Sequence, residues 1–214
     1  MKREKILWLL TSCLILLPTL LVFALDGWLS DLLIRHWGSE GAAASSLSLL
    51  RTLRFFPLIL LFVHGVCLAV TKWDNRKRGQ SPKVMGLVFW ILPFLSLYCS
   101  AMFVASAFGM DLSASLWSGI LMGVLMLLIG NYLPKCTPNR TVGIRIKWTL
   151  ADEENWNATH RFGGKVWFIG AIVILASSLL PTKISVCVMI AATLAMALAP
   201  IIYSYCFYKK KKGK

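Results

Sequence analysis

Charged residues are scarce in this chain. They make up 15% of its 214 residues, whereas apolar residues make up 57% and the mean hydropathy is +0.70. A soluble globular protein carries about 25% charged residues. The missing charge coincides with long uncharged runs, which are typical of membrane-spanning helices. The composition therefore indicates one integral membrane domain and no separate soluble one.

The chain also lacks the motifs of several kinds of chemistry. Its six cysteines form no C-x-x-C or His-spaced pair, so neither a zinc site nor a redox motif is predicted. The apolar runs contain no Asp, Glu, Lys or Arg in their interiors, which argues against an ion-coupled transporter. No spaced pair of catalytic residues occurs. We therefore expect no enzymatic activity, no cofactor and no metal.

Six apolar runs are long enough to cross a membrane, at about 20 residues per span. They predict an all-α, polytopic membrane helix bundle of about six transmembrane helices, which forms a single integral membrane domain over residues 1–214. The predicted spans are residues 6–25, 55–71, 84–108, 112–133, 165–180 and 184–208.

The basic residues are divided unequally between the two sides of this bundle. When both termini are placed on one side, that side receives all of the 23 Lys and Arg residues except Arg35, Arg51, Arg54 and Lys183. The positive-inside rule then predicts that both termini and the polar segment 130–164 are cytoplasmic. The net charge of +14 faces anionic lipid headgroups in this arrangement, so no direct nucleic-acid partner is predicted.

Residues 26–51 are the sizeable segment on the opposite, outward face. Apolar side chains in its first half recur at helical spacing, which predicts a short interfacial helix followed by a Gly-Ala-Ser linker. Two interpretations stay open, a packing helix at the interface and an outward contact surface for a ligand or toxin. The residues that would form such a contact surface are Trp28, Asp31, Arg35, His36 and Trp37.

His64 lies in the middle of the second predicted span. An ionisable group inside a membrane is a candidate for function by default. Because no charged residue inside the spans can pair with it, a hydrogen bond to a carbonyl or hydroxyl group on a neighbouring helix is the other interpretation.

The polar segment 130–164 carries the most specific local signals. Pro138, Asn139 and Gly143 are turn formers and predict a structured loop over residues 135–143. Residues 144–148 alternate apolar and basic side chains, which fits an extended strand or a segment that lies along the interface.

An amphipathic cytoplasmic helix is predicted over residues 150–162, between the fourth and fifth spans. Thr149 would cap it, residues 152–154 place acidic groups at its positive end, and His160 and Arg161 lie at its negative end. Gly163-Gly164 would then end the helix. Trp156, Thr159, His160 and Gly163 share one of its faces, which either docks onto the bundle or headgroups or forms a protein-binding platform.

The same segment resembles the signature of the SdpI family, a family of bacterial multi-pass membrane proteins. Ile146-Lys147 departs from the family pattern, in which Thr-Pro is common at this place. The residues that carry the resemblance, and form the candidate partner-binding site, are Asn131, Tyr132, Pro134, Asn139, Gly143, Arg145, Trp148, Thr149, Trp156, Thr159, His160, Arg161 and Gly164.

The resemblance implies an immunity protein in the bacterial plasma membrane that gives resistance to a secreted peptide or protein toxin. It also implies signal transduction, in which a transcriptional repressor is held at the membrane. The expected partners are then the lipid bilayer, a toxin at the outer face and a cytoplasmic repressor at the inner face. The alternative is a membrane transporter or lipid-handling protein, in which segment 130–164 gates or binds a headgroup.

Overall fold

The structure is a computed structural model that describes residues 2–78, 81–108, 110 and 113–213. All regular secondary structure in these ranges is helical, as the sequence predicts. The α-helices are α1 (Lys2–Ala24), α2 (Asp26–Arg78), α3 (Pro82–Ala107), α4 (Ala114–Tyr132), α5 (Lys147–Ala151), α6 (Glu153–Ser177) and α7 (Thr182–Lys212), and a 3-10 turn covers Leu133–Lys135.

Five segments of the described residues are long and apolar enough to cross a membrane. They agree with five of the six predicted spans and define an all-α membrane helix bundle. The sixth, residues 165–180, is mostly the second half of α6, a helix that begins with polar residues, so the count of six stays a prediction. The five segments are Glu4–Ala24, Ser48–Asp74, Pro82–Ala107, Ala114–Lys135 and Thr182–Lys212.

The helix predicted in the first half of residues 26–51 is confirmed, but the Gly-Ala-Ser linker predicted after it is wrong, because α2 begins at Asp26 and continues through it. Alanine is the strongest helix former, which favours this outcome. The helical run is not straight. Arg54 Nη2 lies 2.7 Å from Asp26 Oδ1, whereas a straight helix separates residues 28 positions apart by about 42 Å. The chain therefore reverses direction between these two residues.

The chain divides into two compact units. Unit 1 comprises residues 1–68 and 88–112, and unit 2 comprises residues 69–87 and 113–214. In unit 1, Thr19 Oγ1 donates to Leu53 O at 3.1 Å and Ser96 Oγ donates to Ile15 O at 2.9 Å. Such side-chain bonds join helices where apolar contacts alone give little preference for one packing over another.

His64 is fully buried in unit 1, and its Nε2 lies 3.0 Å from Thr11 Oγ1. This confirms the interpretation in which it bonds to a hydroxyl group of another helix. Thr11 Oγ1 is also 2.9 Å from Leu7 O. The single hydroxyl proton can be donated to that carbonyl while the oxygen accepts from His64 Nε2, which satisfies the hydroxyl group, whereas His64 Nδ1 is buried without a hydrogen-bond partner.

In unit 2, α4 and α6 make direct backbone contact at Gly130 and Gly164. A Cβ atom at Gly130 would lie 3.0 Å from Phe168 N and 3.2 Å from Gly164 O. One at Gly164 would lie 2.9 Å from Gly130 O and 2.7 Å from Pro134 Cγ. Small residues permit this close approach of helices in a membrane protein.

The same contact explains why α6 does not end at Gly163-Gly164. A glycine ends a helix when it adopts a left-handed conformation, but Gly143 is the one glycine of the described residues with a positive φ. Packing, and not chain reversal, requires Gly164. The predicted separate helix over residues 150–162 is therefore wrong, and His160 and Arg161 lie inside α6 instead of at its end.

We expect Gly164→Ala to destabilise unit 2, because the added methyl group would press on the Gly130 carbonyl and the Pro134 ring. Overpacking of this kind costs about 1–3 kcal/mol. Thermal unfolding in detergent micelles measures the effect. Gly86→Ala is the matched control, since a Cβ there meets nothing within 4 Å. Equal unfolding temperatures for the two variants would contradict the close contact.

Candidate functional site

Asn139 organises the loop between the 3-10 turn and α5. Its side chain is almost fully buried. Its Nδ2 donates to Thr137 O at 2.7 Å and to Val142 O at 2.8 Å, and its Oδ1 accepts from Thr141 N at 2.7 Å and Val142 N at 2.6 Å. One amide group thus replaces the regular backbone bonds that a helix or sheet would supply. The predicted structured loop is confirmed.

Asp74 joins this loop to α2. The sequence alone did not predict it as a site residue. Asp74 is buried, with 4% of its surface exposed. Its Oδ2 accepts from Arg140 N at 2.8 Å and from Thr141 Oγ1 at 2.9 Å. An acidic group in the last turns of a helix opposes the helix dipole. Asp74 lies in this unfavourable position among basic residues that the positive-inside rule explains. Its position could therefore have identified Asp74 as a residue with a structural partner.

Gly143 and His160 close the loop onto α6. Gly143 has φ +116°, and a Cβ atom there would lie 2.4 Å from His160 Nε2. Its absence lets Ile144 N donate to His160 Nε2 at 2.9 Å. The turn predicted at Gly143 is therefore both a backbone requirement and a steric one.

His160 is neutral and carries its proton on Nδ1. Its Nε2 accepts from Ile144 N, so Nδ1 is left to donate to Trp156 O at 2.8 Å. Burial lowers the pKa of His160 to about 4. Its ring also stacks on Trp156, with the ring centroids 4.0 Å apart. This histidine holds the fold of the loop and is not available for acid–base exchange with solvent.

Trp156 and Cys136 form the base of the loop. The Trp156 ring is fully buried and its Nε1 donates to Cys136 O at 2.9 Å. Burial raises the pKa of the Cys136 thiol to about 11, so the thiol stays protonated at neutral pH and is a poor nucleophile. In the described part of the chain, no group of three or more His, Cys, Asp or Glu residues can hold a metal ion.

Thr149 and Trp148 lie in α5, so the part of the predicted extended segment from Lys147 onward is wrong. Thr149 Oγ1 accepts from Ile146 N at 3.1 Å and lies 2.8 Å from Ile144 O, which stabilises the short helix. The predicted cap role of Thr149 for the next helix is also wrong. Asp152 caps α6 by accepting from Glu154 N at 3.1 Å. The Trp148 ring packs on α7, 5.0 Å from the ring of Tyr205.

Thr159 belongs to a buried polar group between α6 and α7. Thr159 Oγ1 and Ser204 Oγ both donate to Asn155 Oδ1, at 2.8 and 2.7 Å, and Asn155 Nδ2 donates to Ser204 O at 3.0 Å. All three side chains are fully buried. Asn155 was also missed by the sequence analysis, because its partner lies 49 residues away. The group holds the two helices together by hydrogen bonds.

The remaining signature residues lie at the surface or at its edge. Asn131, Arg145 and Arg161 are exposed. Asn131 Oδ1 accepts from Lys135 Nζ at 3.3 Å, and Arg145 Nη1 donates to Arg140 O. Tyr132 is half-buried, with Lys135 Nζ 4.7 Å from its ring centroid. Exposed basic groups on an ordered loop can contact a partner, whereas the buried residues cannot.

The predicted outward contact residues are partly described. Trp28, Asp31 and Arg35 are exposed on one side of α2, at spacings of three and four residues. On the other side, Leu33 is fully buried in an apolar cluster with Leu49 and Leu53. The side chains of His36 and Trp37 lie outside the described part of the chain.

An all-helical membrane protein with a loop folded by buried polar side chains is the class that these features define. Residues 135–204 match the SdpI/YfhL protein family. The immunity protein SdpI of Bacillus subtilis (strain 168) is 24% identical over 216 residues, which cover 99% of this chain and 99% of that protein. No solved structure matches. Both comparisons support membership in the SdpI/YfhL family.

His160 makes the stability of the loop depend on pH. Its pKa is about 4 in the folded protein against 6.5 for the unperturbed group, so the unfolded chain binds more protons between these values. The contribution of neutral His160 to the free energy of unfolding is complete above pH 6.5 and is lost as the pH falls toward 4. It amounts to on the order of 3 kcal/mol.

We expect the stability difference between the wild type and His160→Gln to shrink as the pH is lowered from 7.5 to 4.5. The variant keeps an oxygen acceptor near Ile144 N but cannot titrate. Unfolding midpoints of both proteins at each pH measure the difference. The titration of all other groups cancels in this difference, because both proteins contain them. A constant difference over the whole range would contradict the buried, neutral histidine.

Proposed function

We propose that this chain is a membrane immunity protein, which protects a bacterial cell from a secreted peptide or protein toxin. The observation that carries the proposal is its similarity to an immunity protein over 99% of both chains. The aligned region includes both the loop and the exposed side of α2. The protein would reside in the bacterial plasma membrane.

The exposed side of α2 is the proposed toxin contact. It presents an aromatic ring, an acid and a base within two helical turns, and Trp28 is 62% exposed. Tryptophan and arginine are enriched among residues that dominate binding energy. Leu33 on the opposite side anchors the helix, so these three side chains are presented from a fixed backbone.

The loop and the start of α6 are the proposed inner contact. Arg140, Arg145 and Arg161 are exposed there. In the described residues none of them pairs with a carboxylate, so they are available to an acidic partner. A transcriptional repressor held at the membrane is the partner that family resemblance suggests. Binding of toxin outside and repressor inside would make the protein a signal transducer as well as a protective one.

Both termini are proposed to be cytoplasmic. Basic residues flank both ends of the chain, with Lys2, Arg3 and Lys5 before α1 crosses and residues 209–212 at the end of α7. Five crossings would leave the termini on opposite sides, and six leave them on the same side. The positive-inside rule therefore favours α6 as a sixth crossing.

Reporter fusions test this topology. Alkaline phosphatase, which is active only outside the cytoplasm, is expected to be inactive when fused after Arg140 and active when fused after Pro181. Green fluorescent protein fused to the C-terminus is expected to fluoresce. The same phosphatase activity at both fusion points would contradict a crossing by α6, and an active phosphatase at the C-terminus would contradict the proposed orientation.

A toxin-challenge assay tests immunity. A sensitive Bacillus host that expresses the wild type should survive the toxin, and a host that expresses Trp28→Ala/Arg35→Ala should survive about tenfold less well, which corresponds to a loss of ~1.4 kcal/mol in binding. The matched control is Trp90→Ala/Arg51→Ala, which removes an exposed tryptophan and an exposed arginine elsewhere in unit 1. Membrane abundance is compared by blot.

The outcomes separate the parts of the proposal. No protection by the wild type would refute immunity to that toxin. Equal protection by both double variants would refute the contact on α2 while leaving immunity intact. The alternative, a transporter or lipid-handling protein, predicts uptake or transfer of a labelled substrate in proteoliposomes without toxin. Release of a fluorescent repressor from the membrane in Arg145→Ala/Arg161→Ala, with survival unchanged, would support the inner contact.

A further inference from the structure

Unit 2 contains an apolar cavity of about 390 Å³ beside the loop, which the proposed function does not use. Its walls come from the start of α3, the end of α4 and the middle of α7, together with the loop itself. Val84, Tyr132, Ile144, Ile146 and Ala197 are among the lining residues. The volume lies within the ~300–1,000 Å³ that is usual for small-molecule sites.

The cavity offers little to a polar occupant. Among its lining residues, all of which are described, Trp167 Nε1 already donates to Met196 O at 2.8 Å and Cys136 Sγ lies 3.6 Å from Tyr132 O. Ile144 N is bonded to His160. A buried water needs two to four polar partners, whereas a dry apolar cavity of even ~150 Å³ takes up hydrocarbon. The cavity therefore suits an apolar group better than a polar one.

Exposed cations alternate along the chain with the residues that line this cavity. Ile144 and Ile146 line it, while Arg145 and Lys147 are exposed. Lys83 is likewise exposed and precedes Val84. In the described residues none of the three cations pairs with a carboxylate.

The cavity also lies at the ends of two candidate spans. Val84 is the third residue of the span Pro82–Ala107. Tyr132 is the fourth residue from the end of the span Ala114–Lys135. The ends of spans meet the headgroup region, where phosphates face basic residues. An apolar site at this level, with three exposed cations next in sequence to its lining residues, fits a ligand that has a hydrocarbon chain and an anionic head.

From these observations we infer that the cavity binds one acyl chain of an anionic phospholipid, whose phosphate is held by Lys83, Arg145 and Lys147. The site shares Arg145 with the proposed inner contact, but it uses neither the exposed side of α2 nor a toxin, so its test does not depend on immunity. It makes the loop sensitive to the lipid composition of the membrane, since the loop residues Ile144 and Ile146 are part of the wall.

Native mass spectrometry of the detergent-purified full chain tests the inference. The probes are phosphatidylglycerol and phosphatidylcholine with identical chains, and free oleate. We expect one phosphatidylglycerol per protein, bound about tenfold more tightly than phosphatidylcholine. Ala197→Phe should fill the cavity and weaken phosphatidylglycerol binding about tenfold. Ala195→Phe, at an exposed position of α7 outside the lining, is the matched control and should bind normally.

Two double variants that lose the same charge at different places test the headgroup contact. Lys83→Gln/Lys147→Gln should remove most of the preference for phosphatidylglycerol, whereas Arg51→Gln/Lys183→Gln, with the same loss of charge elsewhere, should keep it. Equal binding of both phospholipids by the wild type, or equal preference in both double variants, would overturn the anionic headgroup. Oleate that binds as tightly as phosphatidylglycerol would overturn the choice of a phospholipid.

Crosslinking in the wild type keeps the inference testable if Ala197→Phe does not fold. Phosphatidylglycerol with a diazirine at mid-chain should label residues 142–146 and the lining positions of α7 more strongly than Ala195 and its exposed neighbours. Labelling spread evenly over α7, with none in residues 142–146, would overturn the cavity as the binding site.

Discussion

The hydrogen bond from Ile144 N to His160 Nε2 is the contact on which the fold of the loop in unit 2 depends. The loop between α4 and α5 has no regular secondary structure, so its backbone groups need other partners. Asn139 satisfies the first half, Asp74 ties it to α2, and the histidine ties the second half to α6. Because only a neutral imidazole can accept this bond, the fold of the loop and the protonation of His160 are linked.

The signature residues divide into two groups by what they touch. Asn139, Thr149, Trp156, Thr159 and His160 are buried and shape the loop and its contact with α7. Arg145 and Arg161 are exposed and can reach a partner. Loss of function in a buried variant therefore reports on the fold, and only the exposed positions test binding. The same distinction holds on α2, where Leu33 anchors the helix and Trp28 is presented to its surroundings.

The sequence predicted what depends on composition and on local geometry. Long uncharged runs identify helices that can span a membrane, and Asn139 and Gly143 have intrinsic turn preferences, so the bundle and the loop were predicted correctly. What depends on distant partners was missed. Asp74 bonds to a residue 66 positions away, and Gly163-Gly164 has the pattern of a helix end until Pro134 and Pro200 are seen to fill the space beside it. Local preference gave way to packing at these positions.

The most direct test of this account is ¹⁵N NMR of the histidine side chains in lipid bilayers at neutral pH. The chain has three histidines, so His160 can be assigned from the signals that disappear in His160→Gln. We expect a neutral ring with the proton on Nδ1 and an unprotonated, hydrogen-bonded Nε2. A charged ring, or a proton on Nε2, would mean that Ile144 N does not bond to His160 and that the loop is held in another way.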